Sequence, residues 1–132
     1  MKDFPIGKTA SRSLTVLSQH LACEVGSGSV DVFATPAVAA LMEGAAADLA
    51  QSLLEEPFTT VGTKLSLEHL APTPLGAQVT ATATLDAADG RVYRFSVQAH
   101  DNAGLIAKGT HERVSVKRDS FADKARARLE QQ

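Results

Sequence analysis

Two apolar periodicities divide the chain. Between residues 36 and 54, Val38, Leu41, Met42, Ala45, Leu49 and Leu53 recur at three- or four-residue spacing, which is one face of a helix. Thr35 ahead of them is a good N-cap, and Pro36 a good first helical residue, because its missing N–H would be unpaired there. Asp48, Gln51, Ser52, Glu55 and Glu56 make the last turns polar, and Pro57 ends the helix. The spacing predicts one long helix over 36–54, and its many alanines imply a close-packed neighbour.

Beyond Pro57 the period drops to two, the repeat of strands. In 60–70, Val61, Leu65, Leu67 and His69 fall on one face and Lys64, Ser66 and Glu68 on the other. PTPLG at 72–76 breaks the pattern. Residues 77–86 alternate through Val79, Ala81, Ala83 and Leu85; Asp89-Gly90 signals a hairpin; and 92–100 alternate through Tyr93, Phe95, Val97 and Ala99. In 105–117 the apolar phase shifts from Leu105 and Ala107 to Val114 and Val116, which predicts a bulge or twist near Gly109–Arg113. Residues 10–18 have short strand character, and GSGS at 26–29 is a turn or mobile loop. Residues 1–9 read as an arm, and the charged segment 119–132 as a surface helix or frayed tail. The order is strand, long helix, then a meander of four strands. It predicts a single α+β domain over residues 1–132, a curved antiparallel sheet laid round one central helix. Such a small sheet leaves an edge strand, which dimerisation often covers.

Composition narrows the function classes. A chain of 132 residues, 44% hydrophobic and 21% charged, suits one soluble domain. A net charge of -2 with scattered basic residues leaves no footprint for nucleic acid. No apolar run reaches membrane length, and MKDFPIGKTA carries no secretory core. The single Cys23 excludes an internal disulfide, fits a cytoplasmic location and sits in no nucleophile context. No metal-ligand spacing, phosphate-binding loop or nucleophile elbow is present, so no metal or cofactor is expected.

Glu43 is the one ionisable group between Val32 and Ala47, with Ala39, Ala40, Ala46 and Ala47 around it at helical spacing. It either faces water over a thin alanine stripe or lines a cavity as a base or nucleophile. His69, in phase with Leu65 and Leu67, is either a core histidine or the partner of Glu43 across the helix–sheet interface, a pair suited to acid/base work near neutral pH. The Thr35 hydroxyl, beside free helix N–H groups, can cap the helix and also serve a developing oxyanion. His100, His111 and Arg113 fit a plain strand equally well.

These residues lie in three stretches, FATPAVAALME (33–43), VGTKLSLEHLAPTPLG (61–76) and AHDNAGLIAKGTHER (99–113), and over about 30–117 the chain resembles the hotdog-fold thioesterases, in particular the fluoroacetyl-CoA thioesterase family. Glu43 follows Thr35 by eight residues and His69 follows Glu43 by 26, as in that family. The resemblance implies a hotdog fold and a homodimer with active sites at the subunit interface. It implies an acyl-CoA thioester as substrate, CoA entering only as part of it, and Thr35, Glu43 and His69 as catalytic triad. It matches Gly62 to a glycine whose backbone contacts the thioester or pantetheine, and Arg113 to a ligand-contacting arginine. Where the fluoroacetate enzyme has a longer Phe-containing lid, this chain has LACEVGSGSVDVF with Phe33 next to the helix, so a different or broader acyl range is expected. The alternatives are a hotdog protein that binds acyl-CoA without hydrolysis, enoyl-thioester hydration, and a structural dimer module.

Overall fold

The computed structural model describes residues 4–130. Strand β1 (Thr9–Thr15) precedes a 3-10 turn at Ser18–His20 and a short helix α1 (Ala22–Val25). The long helix α2 spans Thr35–Gln51, followed by β2 (Phe58–His69), β3 (Gln78–Asp89), β4 (Val92–Asp101), β5 (Gly104–Lys117) and α3 (Arg118–Glu130). The five strands form one antiparallel sheet in the order β1-β3-β4-β5-β2.

The helical face is the one the spacing predicts. Val38, Leu41, Met42, Ala45 and Leu49 are buried against Val79, Ala81, Leu85, Phe95 and Val97 of the sheet. Ala45, Ala46 and Ala50 are fully buried, and at Gly44 the guanidinium of Arg12, paired with Asp48, lies where a side chain would go. The helix ends three residues earlier than predicted, at Gln51. Its N-cap is Ala34, not Thr35: Thr35 is the first helical residue and makes no capping bond, because its hydroxyl is held by His69.

Three expectations need correction. The strands after the helix are not a four-strand meander. Only β3, β4 and β5 run consecutively, while β2 crosses to the far side of β5 and becomes an edge. Residues 70–77 are too irregular for a hairpin, and β1 takes the place beside β3 that a meander would give to β2. Second, Val61 does not share a face with Leu65. A bulge at Thr63 pairs Gly62 with Arg113 and Lys64 with Glu112, so Gly62, Leu65, Leu67 and His69 face the helix and Val61 faces away. Third, β5 has no bulge at 109–113. Its irregularity lies at Ile106, and from Ala107 the inward positions run unbroken through Gly109, His111, Arg113 and Ser115. The apolar pattern shifts there because polar residues occupy the inward face.

The predicted arm is docked where it is described. Phe4 stands edge-on to Tyr93 at 5.3 Å, and Gly7 donates its N–H to the Leu85 carbonyl; residues 1–3 of that arm lie outside the described residues. The charged C-terminal segment is a helix, exposed over its described length to Glu130.

Candidate active site

The candidate residues sit in two clusters on one chain. In the first, the start of α2 meets the end of β2. Thr35 Oγ1 lies 2.8 Å from His69 Nδ1. The imidazole Nε2 is buried without a hydrogen-bond partner, and His69 borders a cavity of about 350 Å3 walled by Ala22, Phe33, Ala34, Leu70 and Ala71. Burial pushes the His69 pKa below its ordinary value, and the backbone of Ala71 opposes this weakly. The resting imidazole is therefore neutral near pH 7. Thr35 and Ala37 open the helix, where N–H groups lack intrahelical acceptors and Pro36 has none to offer. The cluster thus combines a proton acceptor with a polarising helix end.

The second cluster is denser. Arg113, buried on β5, donates from Nε to Thr60 Oγ1 at 2.8 Å, from Nη2 to the Thr60 carbonyl at 3.0 Å, and from Nη1 to His111 Nε2 at 3.1 Å. An arginine only donates, so His111 Nε2 accepts and its proton sits on Nδ1. From there it is donated to the Lys64 carbonyl at 2.8 Å, just past the bulge. His111 is a neutral imidazole in one fixed tautomer. Its pKa is lowered chiefly by burial; the Lys64 carbonyl opposes this, the Arg113 charge adds to it, and Glu43 opposes it. Burial also lowers the Arg113 pKa, with Glu43 acting against it, but a guanidinium stays charged.

Glu43 completes this cluster from the helix. Its Oε2 is 3.9 Å from His111 Nε2 and 4.0 Å from Arg113 Nη1, with the side chain 41% exposed. These distances are electrostatic contact without a hydrogen bond, so the carboxylate stays free to engage another group. A Cβ on Gly62 would stand 2.8 Å from Glu43 Oε2, 3.1 Å from His111 Cε1 and 3.3 Å from Arg113 Nη1. The missing side chain at Gly62 is the space into which the carboxylate fits.

The structure brings Thr35 to His69, and Gly62 and Arg113 fall beside Glu43. Sequence reasoning expected His69 to meet Glu43, and within one chain no hydrogen bond or ion pair joins them. Glu43 lies eight residues down α2 from Thr35, a rise of about 12 Å, and His69 and Gly62 stand at opposite ends of the inward face of β2. Two contributors were undervalued or missed, His111 and Thr60. The signal for His111 was its two-residue spacing from Arg113, which puts both on one strand face. Thr60 gave no signal, since its role depends on a bulge. Among the described residues no group of three or more His, Cys, Asp or Glu side chains could hold a metal ion, and no helix is long and apolar enough to cross a membrane.

Comparison with known proteins places this geometry. The family described as fluoroacetyl-CoA-specific thioesterase matches residues 16–119. The fluoroacetyl-CoA thioesterase of Streptantibioticus cattleyicolor is 38% identical over 96 residues, 73% of this chain and 69% of that protein. A solved structure of fluoroacetyl-CoA thioesterase superposes with a TM-score of 0.90 at 30% identity, covering 96% of this chain and 98% of the other. A variant of such an enzyme is solved with acetyl-CoA. A thioesterase superfamily member from Thermus thermophilus superposes at 0.88 with 25% identity over the whole of both chains. The long helix wrapped by a five-stranded sheet is a hotdog fold.

Proposed function

The chain belongs to the fluoroacetyl-CoA-specific thioesterase family and is a thioester hydrolase, and from this we propose that it hydrolyses acyl-CoA thioesters as a homodimer in the cytoplasm, with each active site shared between two subunits. The observation that carries the reading is the division of the candidate residues into two half-sites. The edge strand β2 has one neighbour, β5, and an unpaired outer side twelve residues long. Antiparallel pairing of β2 with its copy about a two-fold axis near Leu65–Ser66 sets Gly62 and Glu43 opposite the partner's His69. The two half-sites then close on one another.

The chemistry follows from that arrangement. The thioester carbonyl lies at the start of the partner's α2, polarised by free N–H groups and by Thr35. Glu43 takes a proton from water as the hydroxide bonds to the carbonyl carbon. The C–S bond then breaks. The proton passes by way of the His69 Nε2 to the departing thiolate, which leaves the imidazole neutral as it began. The products are a carboxylic acid and CoA thiol. Arg113 and His111 stand beside Glu43 and bias where its carboxylate rests. The alternative route, in which Glu43 attacks and water opens the resulting anhydride, uses the same groups.

The acyl range is read as broader than fluoroacetyl. Phe33 is 1% exposed and packs edge-on to His20, so the one aromatic ring of the segment before α2 belongs to the core and is not a mobile lid over the cavity. Thiol release from acetyl- through long-chain and aromatic acyl-CoAs tests both parts: turnover confined to fluoroacetyl-CoA would reject the broad range, and no turnover of any thioester would reject the hydrolase. Mixing inactive Glu43→Ala and His69→Ala subunits tests the shared site. Each mixed dimer keeps one intact site and regains about half of wild-type activity, whereas a site contained within one subunit regains none.

A further inference from the structure

The irregular segment between β2 and β3 contains two prolines, Pro72 and Pro74, which have no N–H to donate. Thr73 between them is fully buried, and its side chain anchors the segment. Its Oγ1 donates to Asp101 Oδ2 at 2.8 Å, at the hairpin that joins β4 to β5. The other carboxylate oxygen, Oδ1, accepts the Ala103 N–H at 2.8 Å, so Asp101 is itself fixed by the turn in which it stands. The Thr73 hydroxyl is the main cause that holds the Asp101 pKa below its ordinary value; burial opposes it, and the backbone of Ala103, Gly104 and Asp101 itself adds to it. A hydroxyl donating to an ionised carboxylate is a strong hydrogen bond.

Both partners of the Thr35–His69 bond are tied to this hairpin. On the helix side, the Thr73 carbonyl accepts the Phe33 N–H at 2.9 Å, and the Ala34 N–H is donated to the His20 carbonyl at 2.8 Å. Phe33 and Ala34 immediately precede Thr35, so these bonds set where α2 begins. On the strand side, the Ile106 carbonyl, at the irregularity of β5, accepts the N–H groups of Leu70 at 2.7 Å and Ala71 at 3.2 Å. Leu70 and Ala71 immediately follow His69, and with Pro72 they form a wall of the cavity that His69 borders.

We infer that Thr73 and Asp101 are positioning residues for the hydrolysis: their hydrogen bond registers the start of α2 against the end of β2, and so holds the Thr35 hydroxyl 2.8 Å from the His69 imidazole. The inference rests on the reading of Thr35 and His69 as part of the reaction site. Neither Thr73 nor Asp101 lines the cavity; both act through the pair they align. A displacement of about 1 Å at a reacting group costs up to about a hundredfold in rate, so the effect falls on kcat.

Thr73→Val keeps the shape of the side chain and removes the donor, and Asp101→Ala removes the acceptor. Each should lower kcat about tenfold and leave KM within about twofold of wild type. The double variant should lose no more than either alone, since the same bond is broken in all three. Thr73→Ser keeps the hydroxyl, and the amide of Asp101→Asn can donate to it or accept from it, so both should keep kcat within about twofold. NMR reads the geometry without turnover: the His69 imidazole resonances should move in Thr73→Val while those of His111 stay in place. Leu85→Val, a cavity in the core toward the other end of β3, controls for lost stability and should leave kcat and both sets of resonances unchanged. Wild-type His69 signals in Thr73→Val, additive losses in the double variant, no recovery with serine, or an equal effect of Leu85→Val overturns the inference. His69→Ala separates the two readings. Wild-type turnover by that variant rejects the reaction site itself, and the inference with it. An inactive His69→Ala beside a Thr73→Val with wild-type kcat rejects the positioning role alone.

Discussion

The two clusters of candidate residues are built on opposite principles. Around Thr35 and His69 there is one hydrogen bond, an open cavity and a buried imidazole nitrogen with nothing bonded to it. Around Glu43 every polar atom of Arg113 and His111 is engaged, and the carboxylate is approached by two groups without being bonded to either. The first cluster leaves a ring nitrogen without a hydrogen-bond partner, the position that the proposed reaction uses for a proton. The second has its order prepared in advance, with the Arg113 charge held in place beside Glu43. Losses in the first cluster should therefore appear in turnover, and losses in the second in stability as well.

The largest effect should come from Glu43→Ala. Removing the charge that the second cluster orients is expected to lower kcat by about a thousandfold. A half-exposed side chain with no hydrogen bond leaves little to destabilise, so Tm should stay within about 2 °C of wild type. His69→Ala should cost about a hundredfold in kcat, again with folding intact. Thiol-release assays beside thermal melts check both; a variant that melts early would assign the carboxylate to the fold instead.

Arg113→Met should separate the clusters most sharply. It strands Thr60 Oγ1 and His111 Nε2 in a buried setting, and each unpaired group costs about 1–3 kcal/mol. Stability should fall by about 3 kcal/mol in a denaturant titration. Turnover should fall with it, because Glu43 loses its orienting charge, while the His69 imidazole resonances in NMR should stay in place. Movement of those signals would show that the two clusters are coupled within the subunit.

Gly62→Ala is the gentler version. The new methyl meets the Glu43 carboxylate, which can swing toward solvent, and the His111 and Arg113 contacts tighten by a few tenths of an ångström. About tenfold in kcat is the expected loss, with stability changed by about 1 kcal/mol or less. A wild-type kcat would remove the argument that the glycine makes room for the carboxylate.

The same contrast explains what could be read along the chain. The helix was legible because Val38, Leu41, Met42, Ala45 and Leu49 report burial by spacing alone, and β3 and β4 because one face is apolar throughout. Thr35, Glu43 and His69 stood out as candidates from their types against apolar neighbours and from family spacing. The second cluster resisted for a physical reason. Its inward residues on β5 are His111, Arg113 and Ser115, so the strand that builds the site has polar residues where alternation expects apolar ones, and the hydrophobic phase appeared to slip. The Thr63 bulge hid in the same way: one extra residue reverses every later side chain, and no local sequence signal distinguishes it from a regular strand. The position of β2 at the edge is a matter of topology, and it set Glu43 and His69 apart in the single chain.

The smallest expected effect tests whether the two histidines, buried His111 and half-buried His69, titrate for different purposes. Both have pKa values lowered mainly by burial. In the unfolded chain each takes up its proton near the ordinary value of about 6.5. In the folded protein each resists it to lower pH. Below about pH 6.5 the unfolded state therefore binds more protons than the native one, so stability is full above that pH and declines as pH falls toward the folded values, with a slope of at most about 1.4 kcal/mol per pH unit for each histidine. His111→Gln keeps both hydrogen bonds in kind, since an amide can accept from Arg113 and donate to the Lys64 carbonyl, but cannot titrate. It should flatten the decline between pH 7 and 5 and leave the acid limb of kcat where wild type has it. His69→Ala should also flatten the stability profile, but its residual activity should lose the histidine limb. Denaturant midpoints across that pH range, set beside pH–rate profiles, read the two separately. A shared shift in both profiles from His111→Gln would mean that His111 carries a reaction proton, and would move it from positioning Arg113 into the proton path.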